Sequence, residues 1–263
     1  MSASLSGVPL GKIAAHLDTL LRTSEVPDYP GALNGIQVEH EGPVQRVAVA
    51  VDASLLTIQG AIEAGANLLL VHHGLYWGGV QPLRGRFYQR TRDLIRADVA
   101  VYSSHLPLDL HPTLGNNALL ANALGLVPAA GFARFQSIAV GVMGEADVET
   151  STLVARAEAI AAQEGGSIVA VGAEPGRRTR RWAICTGAGA SSESLREAVA
   201  AQVDTLIVGE GPHHTAVEAQ ELGIAVIYAG HYATETFGVR ALGAELEQTF
   251  GLPWSFIAAP TGL

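Results

Sequence analysis

The chain has 263 residues, a formal net charge of −9, 16% charged residues and 48% hydrophobic ones. That acidic balance argues against broad nucleic-acid binding, which calls for a basic face, and one cysteine excludes an intrachain disulfide. A membrane span needs about 18 consecutive apolar residues; runs such as Ile224 to Ala229 are far shorter, so no membrane association is expected. So apolar a composition in a chain without a span predicts surface buried between subunits, and hence a homo-oligomer.

Leu10, Ile13, Ala14, Leu17 and Leu21 recur at helical spacing and predict an amphipathic first helix. The start of the chain lacks a charged segment followed by a continuous apolar core, so no signal peptide is read there. With the single cysteine, this predicts a cytoplasmic location. A Pro- and Gly-rich loop runs from Val26 to Gly35, with Asn34-Gly35 read as a turn. Next come strand Val47 to Val51, helix Leu55 to Ala64, and strand Asn67 to Val71, which ends at His72-His73-Gly74. After a Gly-rich loop follow helix Phe87 to Arg96, strand Val99 to Ser103 just before His105, and helix Leu114 to Leu124.

The second half starts near Val127. Strands Ile138 to Val142 and Ser167 to Val171 flank helix Leu153 to Gln163, and Ala173 to Thr179 reads as a polar loop. Strand Trp182 to Cys185, helix Glu193 to Ala201, strand Thr205 to Val208, helix Thr215 to Leu222, strand Ala225 to Tyr228 and helix Thr234 to Gln248 complete the chain. Alternating strands and helices predict an α/β fold with mostly parallel sheets flanked by helices. The expected domains are 1–126, with the first ligand pairs, and 127–263, with the last.

Three pairs of metal-binding side chains follow predicted strands: His72-His73, His105 with Asp109, and His231 with Glu235. Open α/β sheets gather functional groups at strand C-terminal ends, so these six can converge on one spot. Adjacent histidines on a regular strand point to opposite faces, which leaves each to serve a different ion where the chain turns at Gly74. Each pair also has a bland reading: one structural and one exposed histidine, Asp109 capping a turn, Glu235 favoured by a helix dipole. Three pairs at three strand ends favour a metal site. Four histidines and two carboxylates without a thiolate suit Zn, Fe, Mn, Co or Ni. Six protein ligands leave water-bearing positions on two divalent ions, as in catalytic rather than structural sites.

Other features are secondary. The basic cluster Arg84 to Arg96 is either a solvated helix face or a cationic rim for an anionic small-molecule substrate, with Arg84, Arg86 and Arg90 as substrate-binding candidates. Glu210, His213 and His214 follow another strand and read either as support for the metal ligands or as a capped helix start. The loop Thr186 to Ser192 joins a strand to a helix start, where backbone amides can bind an anion, but lacks a full nucleotide fingerprint.

Asn34-Gly-Ile-Gln-Val38, Val71-His-His-Gly74, Ser104-His-Leu-Pro-Leu-Asp109, Gly209-Glu-Gly-Pro-His-His214 and Gly230-His-Tyr-Ala-Thr-Glu235 together resemble the Nif-three-like family, whose named activity is type-two GTP cyclohydrolase I. The resemblance implies two intertwined α/β domains, a short form without an inserted domain, a dinuclear metal centre and a ring-like homohexamer. Carried over by position, the ligands fall on His72, His73, Asp109, His231 and Glu235, with His105 as a sixth candidate. Many relatives have proline where this chain has Gly74. The implied function is a dinuclear metal-dependent hydrolase of the GTP cyclohydrolase type, opening a ring by a metal-bound hydroxide with Asp109 or Glu235 orienting the water. The alternative is a non-catalytic metal-binding, metal-delivery or scaffold protein.

Overall fold

The computed structural model describes residues 7–263. In chain order the elements begin with β1 (Val8–Pro9), α1 (Leu10–Leu20), β2 (Gly35–Val38), β3 (Pro43–Val44), β4 (Val47–Asp52), α2 (Leu55–Glu63), β5 (Leu68–His73), α3 (Gly85–Arg96), β6 (Ala100–Ser103), α4 (Leu106–Asp109) and α5 (Asn116–Ala123). They continue with β7 (Ala130–Phe135), β8 (Ile138–Glu149), α6 (Thr150–Gln163), β9 (Val169–Val171), β10 (Arg178–Cys185), α7 (Ser192–Ala200), β11 (Thr205–Val208), α8 (His213–Leu222), β12 (Ala225–Tyr228), α9 (His231–Phe250) and β13 (Trp254–Phe256).

The described residues form two compact units, one of Gly7–Leu108 with Gly238–Ala259 and the other of Asp109–Phe237 with Pro260–Leu263. Each takes two stretches of chain because α9 carries the backbone out of the second unit and β13 returns beside β4. The position 126/127, read from sequence as the boundary, falls inside the second unit.

The first unit is built on a five-stranded sheet of order β13-β4-β5-β6-β2, parallel except for β2. Every residue of β4 from Val47 to Val51 and of β5 from Leu68 to His72 is buried, as a parallel strand covered on both faces requires. Ser54 starts α2 by a reciprocal cap: its hydroxyl accepts from Thr57 N–H, and Thr57 Oγ1 accepts from Ser54 N–H. Such a cap is worth about 1 kcal/mol. Ile58 and Ala61 of α2 and Phe87 and Leu94 of α3 then pack with Leu69, Val71 and Val101 of the sheet.

The second unit holds a six-stranded sheet of order β7-β8-β10-β11-β12-β9. The central β10-β11-β12 run is parallel, β8 and β9 flank it antiparallel, and β7 pairs antiparallel with β8. The mostly parallel expectation therefore describes the first sheet, and the second is mixed. β10 begins at Arg178, inside the segment expected to be a loop, because Arg178 pairs with Glu149 in the ladder and its Nε donates to Asp147 Oδ1 at 2.6 Å. No helix among the described residues is long and apolar enough to cross a membrane.

Candidate metal centre

In the first unit, the strands end in polar side chains. β5 runs on through both histidines, two residues beyond the apolar stretch Leu68 to Val71. His72 is fully buried and His73 half-buried. Strand alternation alone would separate them, yet their ring centroids lie 4.7 Å apart. His73 closes the strand, still paired with Asp52 in the ladder, and Gly74 follows with its backbone packed on Gln37. His105, two residues past β6, brings a third ring to 4.9 Å from His72 and 5.6 Å from His73. One ligand atom from each of the three lies within 4.8 Å of the others.

Each imidazole is oriented through Nδ1. His72 Nδ1 is 2.9 Å from the carbonyl of Ser104, His73 Nδ1 is 3.0 Å from Asp52 Oδ1, and His105 Nδ1 is 2.8 Å from Asp28 Oδ1. A carbonyl or carboxylate can only accept, so Nδ1 carries the proton and Nε2 the lone pair in each neutral ring. That is the arrangement found behind metal-ligating histidines. Asp52 is delivered by ladder register, since it pairs with His73 where β4 meets β5. Asp28 also accepts from Leu106 N–H and from Asn34 Nδ2 at 2.9 Å, while Asn34 Oδ1 accepts from His105 N–H at 2.8 Å. Burial alone would raise the Asp28 pKa; His105, Asn34 and the Leu106 amide outweigh it and hold the carboxyl below its usual range.

The second unit places Asp109 at the end of α4, a single turn that admits Pro107 at its second position. Asp109 is 5% exposed, and its Oδ1 accepts from Asn116 Nδ2 at 2.8 Å. Asn117 donates to the carbonyls of Asp109 and Val140 and accepts from Thr186 N–H. α9 starts at His231, so Glu235 sits one turn on, with its Oε2 3.1 Å from His231 Nε2. On the other edge of the ring, Nδ1 lies 2.7 Å from Glu210 Oε1. Burial would lower the His231 pKa; Glu235 and then Glu210 more than offset this and raise it to about 9.

Gly187 lies against this pair at φ +63°, its amide donating to Thr234 Oγ1 at 3.1 Å. A Cβ there would fall 2.1 Å from Glu235 Oε1 and 3.3 Å from His231 Nε2. The missing side chain thus lets the Glu235 carboxylate lie directly against the Gly187 backbone, beside His231 Nε2. Donor chemistry agrees: imidazoles and carboxylates are present, while Cys185 is packed in an apolar cluster and its thiol is pushed up to about 12 by burial, with Asp109, Glu235 and Glu197 adding to it. The residues present fit divalent transition-metal ions.

The remaining sequence candidates divide. Glu210 orients His231, whereas His213 and His214 open α8 and are exposed. Arg84 precedes α3 as its N-cap residue and, like Arg86, is exposed. Arg90 is engaged inward, with Nη1 donating to the Ala53 carbonyl at 3.0 Å and the guanidinium 5.8 Å from the Phe87 ring. Sequence reasoning missed Asp28, Asp52 and Gly187. Applying the strand-end argument to β4 would have found Asp52; Asp28 lies in an aperiodic loop and carries no such signal.

A sequence model described as Duf34/NIF3 (NGG1p interacting factor 3) matches residues 9–261. A Deinococcus radiodurans protein named GTP cyclohydrolase 1 type 2 homolog is 43% identical, over 96% of this chain and 94% of its own. A Halobacterium salinarum protein of the same name is 41% identical, over 95% of this chain and 98% of its own. The solved structure of protein ybgI, described as of unknown function, superposes with a TM-score of 0.87 at 33% identity, covering 97% of this chain and 100% of that one. Matched nearly end to end in sequence and in fold, this chain belongs to the Duf34/NIF3 family.

Proposed function

We propose that the protein is a metal-dependent hydrolase that holds two divalent transition-metal ions, drawn from Zn, Fe, Mn, Co and Ni. His72, His73 and His105 of the first unit and Asp109, His231 and Glu235 of the second are the ligands. The observation that carries the reading is the Nδ1 anchoring of the imidazoles on Ser104, Asp52, Asp28 and Glu210, which aims Nε2 of each ring away from its anchor. When bound, such ions acidify water and act as Lewis acids.

The chain's own groups do the rest. The carbonyl and carboxylate anchors hold His72, His73 and His105 in one tautomer, and Glu210 orients His231, so little reorganisation is needed at each turnover. Asp109, fixed by Asn116, and Glu235, beside His231, are the carboxylates able to orient an attacking water and hold its proton. The relatives' name points to GTP, in which water would attack C8 of the base and open the imidazole ring; Arg84 and Arg86, both exposed, are free to meet phosphates. The apolar composition supports assembly into a homo-oligomer, with a hexamer as the expected form.

The test is elemental analysis of wild type and His73→Ala, followed by turnover of GTP. About two equivalents of metal per chain in the wild type, fewer in the variant, and metal-dependent product formation are expected. No metal after reconstitution overturns the centre; metal without turnover of GTP or other nucleotides overturns the hydrolase and favours a storage or delivery role.

A further inference from the structure

Two consecutive asparagines, Asn116 and Asn117, open α5, and both are fully buried. Asparagine is a weak helix former, and neither amide caps this helix, whose N-cap is Gly115 without a side-chain bond. Side chains in a first turn lean back toward the residues before it, here the turn that ends at Asp109. Asn116 Nδ2 donates to the Asp109 carboxylate at 2.8 Å, and Asn117 Nδ2 donates to the Asp109 backbone carbonyl at 3.3 Å.

Asn117 reaches further. From Arg181 to Ile184, β10 pairs with Glu145 to Val142 of β8, a register that would next but one set Thr186 opposite Val140. The Asn117 amide takes both of those groups instead: Nδ2 donates to the Val140 carbonyl at 3.0 Å, and Oδ1 accepts from Thr186 N–H at 2.9 Å. A side chain thus satisfies a buried strand end that the ladder leaves open. With Nδ2 on two carbonyls and Oδ1 on an N–H, a flipped amide would set donor against donor and acceptor against acceptors, so one orientation is allowed. Past Thr186 the chain enters Gly187, whose N–H donates to Thr234 Oγ1 at 3.1 Å and whose carbonyl accepts from Glu210 N–H at 2.8 Å. Thr234 immediately precedes Glu235, and Glu210 Oε1 lies 2.7 Å from His231 Nδ1. One buried amide therefore links the Asp109 turn to the loop on which His231 and Glu235 rest.

We propose that Asn117 is a positioning residue for the second-unit donors: by closing the end of the β8-β10 ladder and joining the Asp109 turn to the Thr186-Gly187 loop, it sets where Asp109 stands relative to His231 and Glu235. This role rests on the metal-dependent reading for what the donors hold, but not for the tie itself. The bonds that make the tie are to main-chain groups, so Asn117 fixes the placement of the donors without changing their chemistry.

The experiment has a metal-free and a metal-loaded readout. In chelated protein, Asn117→Ala should speed amide hydrogen exchange at Thr186, and at Glu210 behind it, by about ten-fold or more, while Ala183 and Ile184 keep their rates. Co²⁺ alone, titrated into the same proteins, should bind Asn117→Ala about 10- to 100-fold more weakly than wild type, with an altered visible absorption band. Asn117→Ser keeps a hydroxyl and leaves room for a water; it should fall between, and it carries the test where the alanine variant does not fold. Leu153→Ala, at a fully buried position of α6 in the same unit, controls for lost stability and should keep the wild-type affinity and band. Unchanged exchange at Thr186 and Glu210, unchanged Co²⁺ affinity and spectrum in the Asn117 variants, or an equal loss in Leu153→Ala overturns the proposal. A wild type that shows the exchange pattern yet takes up no Co²⁺ overturns the metal centre and leaves the tie standing.

Discussion

The Asp28 carboxylate grips His105 at 2.8 Å and, through its other oxygen, the amide that follows it at Leu106. One side chain thereby fixes both the tautomer of the imidazole and the backbone that carries it. Asp28→Ala should lower metal affinity by about 10- to 100-fold while leaving the fold intact. Competition with a chelator, together with circular dichroism, measures both. Asp28→Asn should fall between, because its amide oxygen still accepts but without charge. Equal affinity in all three proteins would remove Asp28 from the centre.

At Gly187 two penalties coincide. Its φ of +63° disfavours any side chain, and a Cβ would strike Glu235. Gly187→Ala should cost about 1–3 kcal/mol from the backbone alone and should also reduce bound metal. Urea titration reports the first effect, and elemental analysis of the folded variant reports the second.

His231 gives the metal-free protein a particular response to pH. Its pKa rises from 6.5 to about 9 on folding, so the native state binds the proton more tightly than the unfolded chain. The stability this contributes is complete below about pH 6.5 and is lost as pH climbs through 9. Urea midpoints of chelated protein should therefore fall across that window, and His231→Asn should flatten the decline. Metal uptake in the same window should release protons, because the ligating ring must be neutral.

Cys185 should be silent toward a thiol reagent at pH 8. It is 8% exposed and its pKa is pushed up to about 12, so both access and thiolate are lacking. Denaturant should expose one reactive thiol per chain. Rapid labelling of the native protein would contradict the packing around β10.

Gln37 and Gly74 should behave as a coupled pair. The Gln37 amide donates to the carbonyls of Ala32 and Leu33 and accepts from Leu75 N–H, and a Cβ at Gly74 would fall 2.2 Å from its Nε2. Gly74→Ala should therefore dislodge three hydrogen bonds and cost about 1–3 kcal/mol. In Gln37→Ala the same change should cost much less, a coupling that a double-mutant cycle reads directly.

The sequence revealed the long elements because their signals are local. Helical spacing from Leu10 to Leu17 and the apolar runs of β4, β5, β11 and β12 need no knowledge of partners. It missed β1, β2, β3, β7 and β13, strands whose pairing is decided by distant segments: Trp254 is a strand residue because it meets Val47. The ligand candidates stood out because histidine and carboxylate recur after apolar runs. Their supports did not. Asp28 reaches His105 across 77 positions, and the acceptor for His72 is a backbone carbonyl at Ser104, which no side-chain pattern marks. Arg90 looked like a substrate contact because charge alone cannot tell an outward guanidinium from one folded onto Ala53.

The parallel register that sets Asp52 beside His73 has a consequence for how the protein opens. β4 and β5 are central, buried strands, so their amides exchange with solvent only in openings close to global unfolding. The strands that carry a histidine and the carboxylate that aims it are thus parted only by rupture of the sheet, although both residues stand at strand ends. Local fraying of loops can let an ion come and go while the buried strands that lead to His73 and Asp52 stay paired. The persistence of His72 and His73 is then tied to the sheet, whereas that of His105 rests on the loop that carries Asp28.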